Sequence, residues 1–123
     1  MAPPTTKLSP SVADLVERYR LAVESSGIPV KDVIIFGSQT KGTARSDSDI
    51  DVAVVSPSFG RDRFEERLRL MGFGRKFMTI EPHPLHPIDL QDQWSSFIQE
   101  VKTHGVSVPN SVKRTKLRQS PNN

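Results

Sequence analysis

The chain of 123 residues contains no cysteine. This removes disulfides, thiolate zinc sites and thiol nucleophiles from consideration and agrees with a reducing compartment. Tryptophan and tyrosine occur once each. No segment approaches the roughly 20 apolar residues of a membrane span, and the opening MAPPTTKLSP lacks the apolar stretch of a signal peptide. The expectation is a soluble cytoplasmic protein with no membrane partner. No internal repeat is visible, and 123 residues with 35% hydrophobic content suit one small domain without a separate substrate domain.

What excess charge there is lies at one end. The net charge is +3, but Lys113, Arg114, Lys116 and Arg118 carry no accompanying acid, and setting them aside leaves 13 basic against 14 acidic residues. The expected organisation is a flexible N-terminus over 1–8, a domain over 9–108 and a basic, disordered tail over 109–123. The tail is the sole support for a nucleic-acid partner.

The richest stretch runs from Val33 to Val55, VIIFGSQTKGTARSDSDIDVAVV. Val33 to Phe36 read as a buried strand ended by a turn at Gly37-Ser38. Gly37 lets the backbone approach a ligand closely, and Ser38 with the amides after it can meet phosphate oxygens. Gln39 to Ala44 are expected as a short helical turn. Asp49 and Asp51 then alternate with Ile50, Val52 and Val54, so a strand would send both carboxylates to one face and pack the other. Same-face neighbours stand about 6.5 to 7 Å apart along a strand, close enough to converge on a hard divalent cation such as magnesium.

Gly37-Ser38, ten intervening residues and Asp49-Ile50-Asp51, with Gly42, Ala44, Arg45 and Ser48 between, resemble the polymerase-beta-like nucleotidyltransferase superfamily, in particular its minimal stand-alone members. The resemblance implies an α/β fold, a small mixed β-sheet flanked by helices. It implies transfer of a nucleoside monophosphate, AMP foremost, from ATP or another nucleoside triphosphate, with two Mg2+ ions held by Asp49 and Asp51. Gly37, Ser38, Arg45 and Ser48 would bind the nucleotide. The segment IEPHPL, similar to one in the minimal members, puts Glu81 in place of the third catalytic and metal-binding acid. Members of this size commonly work with a helical HEPN-domain protein, some as the antitoxin that adenylylates it. Rival readings are a non-catalytic antitoxin acting by occlusion, and a transferase acting on a small molecule or an RNA end.

The remaining segments read as scaffold. Ser9-Pro10 opens a helix whose face is Val12, Leu15, Val16, Tyr19 and Val23, closed by Gly27 and Pro29, with the Tyr19 hydroxyl expected in water. Phe64, Leu68 and Met71 form the apolar stripe of a charged helix over 61–71, with Glu65 and Arg69 paired. Phe77 to Glu81 read as a strand ended by Pro82-His83-Pro84. His83 and His86 lack a third nitrogen or sulfur ligand at a recognised spacing, so no zinc site is assigned. Asp92 is the expected cap of a last helix with Trp94, Phe97, Ile98 and Val101 inward. Val106 to Val108 are a candidate edge strand.

Overall fold

The computed structural model describes residues 8–45 and 47–109; the expectations for residues 1–7 and for the basic tail beyond Pro109 lie outside them. Leu8 packs against the core. The first helix, α1 (Pro10–Ser25), begins with proline in its first turn and buries Val16, Tyr19, Arg20 and Val23. Strand β1 (Asp32–Phe36) leads through Gly37 into α2 (Ser38–Lys41), a single turn closed by Gly42 in the left-handed conformation at φ 77°. That turn is shorter than expected because glycine accepts the left-handed cap that other residues resist. Strand β2 (Ile50–Val55) follows, then α3 (Arg63–Leu70), a 3-10 turn (Arg75–Phe77), β3 (Ile80–Leu85), a second 3-10 turn (Pro87–Gln91), α4 (Ser96–His104) and β4 (Val106–Ser107).

The four strands form a mixed sheet in the order β3-β2-β1-β4. β1 is antiparallel to both β2 and β4, and β2 is parallel to β3. Val33 and Ile35 with Ile50, Val52 and Val54 face α1, while Ile34, Phe36, Ala53, Val55 and Leu85 face Ile98 and Val101 of α4. Both faces of β2 are therefore packed. The expected open carboxylate face shrinks to one end of the α4 side, because Ala53 and Val55 beyond Asp51 are fully covered.

Several sequence expectations shift by a residue or two. The stripe that α3 turns to the body is Arg63, Arg67 and Leu70, one residue out of phase with the expected one; Phe64 and Met71 are 71% and 59% exposed. Long-range ion pairs from Arg63 to Asp89 and from Arg67 to Glu81, with Leu70 buried, set the rotation that local apolar spacing could not. Arg69 pairs with Glu66 rather than Glu65. Asp62 caps this helix, accepting from the Glu65 amide. The Tyr19 hydroxyl is not in water: it donates to the Leu70 carbonyl at 2.6 Å, and burial drives its pKa far up. Its ring meets Phe73 and Phe77 edge-on.

The third strand starts later than expected and runs through both prolines. Phe77 belongs to the preceding 3-10 turn. Proline is tolerated because β3 is an edge strand: the Thr79 and Leu85 carbonyls bond to Ile50 and Ser56 amides, which puts Pro82 and Pro84 at the positions facing away from β2. The last helix is capped by Ser95, accepting from the Ile98 amide, and not by Asp92, whose carboxylate accepts from the Trp94 amide. Trp94 consequently precedes the helix and is 87% exposed. Arg20 has a structural task that its charge concealed. Its guanidinium donates to the Val108 and Val30 carbonyls and pairs with Glu24, fastening the segment after β4 to α1.

Candidate active site

The site begins where β1 ends. Gly37 has φ 78° and ψ −146°, and a Cβ there would lie 2.6 Å from Asp51 Oδ2. The glycine thus supplies both a backbone conformation that L-residues resist and the space in which the Asp51 carboxylate sits. Its carbonyl accepts from the amides of Thr40 and Lys41 and from the Thr40 hydroxyl, fixing the turn that presents Ser38.

Across the sheet, Phe36 pairs with Asp51 and Asp51 pairs with Glu81, so the three stand in one row. The strand period carries His83 to the same face as Glu81, two residues along. His83 Nε2 lies 3.2 Å from Asp51 Oδ1 and 3.7 Å from Glu81 Oε1. Its ring is packed between Phe36 and Phe97, with centroids 5.2 and 5.4 Å away. The Glu81 carboxyl is pushed above its usual range, first by a hydrogen bond shared with Asp51, then by burial and by the charge of Asp51, while His83 and Arg67 act in the other direction.

One carboxylate atom from each acid and one imidazole nitrogen lie within 4.8 Å of one another. The conflict between two facing carboxylates is what a bound cation relieves, and the donor set fits a small divalent ion. Asp51 and Glu81 are the pair the fold brings together, and His83 is the member the sequence reading left out. The signal lay in the alternation of Glu81 and His83 within IEPHPL, hidden by ending the strand at Pro82.

The other expected residues are placed differently. Asp49 precedes β2, is exposed, and stands outside this three-residue cluster; Gln39 Nε2 donates to its carbonyl at 3.3 Å. Arg45 and Ser48 close a turn on each other, the Arg45 amide donating to Ser48 Oγ at 2.8 Å and the Ser48 amide to the Arg45 carbonyl. They line a cleft of about 480 Å³ with Gln39, Gly42, Ser11 and Val12, on the α1 side of the sheet, whereas the acids are on the α4 side. Lys41 is drawn the other way, its Nζ 2.8 Å from Glu100 on α4. A second cleft of about 300 Å³ opens beside the acids, lined by Arg63, Phe64, Arg67, His83, Leu85 and Phe97.

Comparison with known proteins agrees with this architecture. Among curated proteins, none matches the chain significantly. Among solved structures, a protein from Sulfolobus solfataricus assigned as a nucleotidyltransferase is similar at a TM-score of 0.60 and 20% identity, over 87% of each chain. A toxin-antitoxin structure with AMP-PNP is similar at a TM-score of 0.50 and 22% identity, over 85% of this chain and 87% of the other. A complex of a tri-AMPylated HEPN toxin with an MNT antitoxin from Shewanella oneidensis is similar at 0.47 and 20%, over 85% and 78%. At such identities the likeness is one of fold. The family of nucleotidyltransferase domains matches residues 16–104. With the Gly37 turn, the row of acids and the mixed sheet described above, that match makes the chain a member of the nucleotidyltransferase domain family, with the polymerase-beta-like fold.

Proposed function

We propose that the protein transfers a nucleoside monophosphate, AMP foremost, from a nucleoside triphosphate to a hydroxyl of a helical partner protein of the HEPN type, and acts in this way as an antitoxin. The observation that carries the reading is the pairing of Asp51 with Glu81 beside a glycine turn whose missing Cβ leaves room for the Asp51 carboxylate. The similar toxin-antitoxin structure holds AMP-PNP, an analogue of ATP, which favours adenylyl transfer.

In the proposed reaction the acceptor hydroxyl gives its proton to Glu81 or to water and its oxygen bonds to the α-phosphorus, as the bond to the bridging oxygen breaks and pyrophosphate leaves. Asp49 and Asp51 would hold divalent ions, and Glu81 would complete the ligand set. Divalent ions bound there supply charge neutralisation and a more acidic acceptor hydroxyl. Gly37 and Ser38 would approach the phosphates, whereas Arg45 and Ser48 line the cleft on the other side of the sheet and are assigned no contact with the phosphates. The rest is alignment, which a small scaffold can provide. The acceptor enters over the cleft between α3 and α4, where Phe64 and Phe97 offer apolar contact and Arg63 and Arg67 offer charge.

Mass spectrometry of the co-expressed partner tests the proposal. A gain of one or more nucleotide masses with the wild type, lost with Asp49→Ala plus Asp51→Ala, is the expected result. A partner that is inhibited but unmodified overturns it in favour of occlusion.

A further inference from the structure

His83 has its ring fixed between Phe36 and Phe97 and its Nε2 turned toward two carboxylates. Ligand atoms bound at about 2.1 Å to a small divalent ion stand about 3.0 Å apart when adjacent and about 4.2 Å apart when opposite. The separations of 3.2 Å from Asp51 Oδ1 and 3.7 Å from Glu81 Oε1 fall between these limits. The side chain is 23% exposed, so its nitrogen reaches the acids while the ring stays in contact with Phe97 of α4.

The nature of the donor then bears on the ion. Magnesium prefers oxygen ligands and gives up water reluctantly, whereas an imidazole nitrogen strengthens binding of the first-row transition ions. Two carboxylates balance a divalent charge, and a neutral imidazole adds a ligand without adding charge. We propose that His83 Nε2 is a direct ligand of the ion held by Asp51 and Glu81, and that this nitrogen makes the site select first-row transition ions over magnesium. The inference rests on the metal-binding role proposed for those acids and adds the ligand that sets the choice of ion.

Manganese(II) is the probe, since it is the weakest binder of the transition series and therefore the most demanding, and it is paramagnetic. The full chain, stripped of metal and without nucleotide, is titrated with Mn2+ and with Mg2+, and the Mn2+-loaded protein is studied by pulsed electron paramagnetic resonance. The expected result is binding of Mn2+ at least about tenfold tighter than Mg2+, with nitrogen-14 modulation in the wild type. His83→Gln should abolish the modulation and weaken Mn2+ binding about tenfold or more, with Mg2+ affinity within about twofold. Asp51→Asn should lose the modulation as well. Wild-type spectra without nitrogen coupling overturn the proposal, as does coupling that survives in Asp51→Asn or an unchanged ion preference in His83→Gln. The decisive spectrum is that of the wild type, so poor folding of a variant does not blunt the test. Nitrogen coupling without transfer to any partner sustains His83 as a ligand and sinks the transferase; magnesium-supported transfer without coupling does the reverse.

Discussion

Gly37 and Asp51 are packed so tightly that a methyl group on the glycine would reach within 2.6 Å of the carboxylate. The clash falls on the end of a side chain that can rotate away, so Gly37→Ala displaces Asp51 more than it unfolds the domain. The positive φ adds strain of about 1–3 kcal/mol. The expected outcome is a modest loss of stability in urea with a much larger loss of nucleotidyl transfer. Full activity in this variant would contradict the placement of Asp51 in the site.

Replacing Asp49 and Asp51 together by alanine should abolish transfer and leave the fold intact. Asp51 faces Glu81, so its removal relieves a repulsion, and the metal-free variant should melt no lower than the wild type. Circular dichroism melting and a transfer assay on the same preparation check both halves.

Glu81→Gln separates binding from turnover. Glu81 belongs to β3, one strand further from the Gly37 turn than Asp51, and on the proposed acceptor-side role nucleotide affinity should change little while turnover falls about 10²–10⁴-fold. Single-turnover kinetics with saturating nucleotide provide the measurement. A collapse of affinity with normal turnover would assign Glu81 elsewhere.

Arg20 should prove more important to folding than any charged residue in the site. Arg20→Met leaves the Val30 and Val108 carbonyls without this donor and removes the ion pair with Glu24. The expected loss is about 2–4 kcal/mol by chemical denaturation, with activity per folded molecule preserved. A loss below about 1 kcal/mol would show that water replaces the guanidinium freely.

Asp89 gives a pH signature. Burial pushes its carboxyl up, but the His86 backbone amide and the Arg63 guanidinium outweigh this and hold it below the usual range. A depressed folded-state pKa stabilises fully above the unfolded value of about 3.9 and is lost as pH falls through the folded value. The stability difference between wild type and Asp89→Asn should thus be full at neutral pH and shrink below about pH 4. A constant difference down to acid unfolding would refute the assignment.

The parts of the molecule that were legible in the sequence are those governed by local periodicity. Val16, Tyr19 and Val23 mark the buried face of α1, and Val33 to Phe36 mark β1, because spacing alone fixes which residues share a face. The rotation of α3 was not legible, since Arg63 and Arg67 are turned inward by Asp89 and Glu81, 26 and 14 positions away. Asp49 and Asp51 were read as one same-face pair from their spacing. The fold in addition sets Asp51 opposite Glu81 and beside His83, a relation created by parallel register between distant strands. Prolines in IEPHPL concealed that strand, because only its place at the sheet margin makes them acceptable.

That margin has a bearing on how other chains can attach. Pro82 and Pro84 deprive the outward side of β3 of two amide donors, and at the opposite margin β4 is only two residues long. Among the described residues neither border offers a ladder on which a foreign strand could be added, which disfavours edge-to-edge aggregation and recognition by strand addition. A partner chain that docks on these borders is therefore gripped through side chains and not by an added strand.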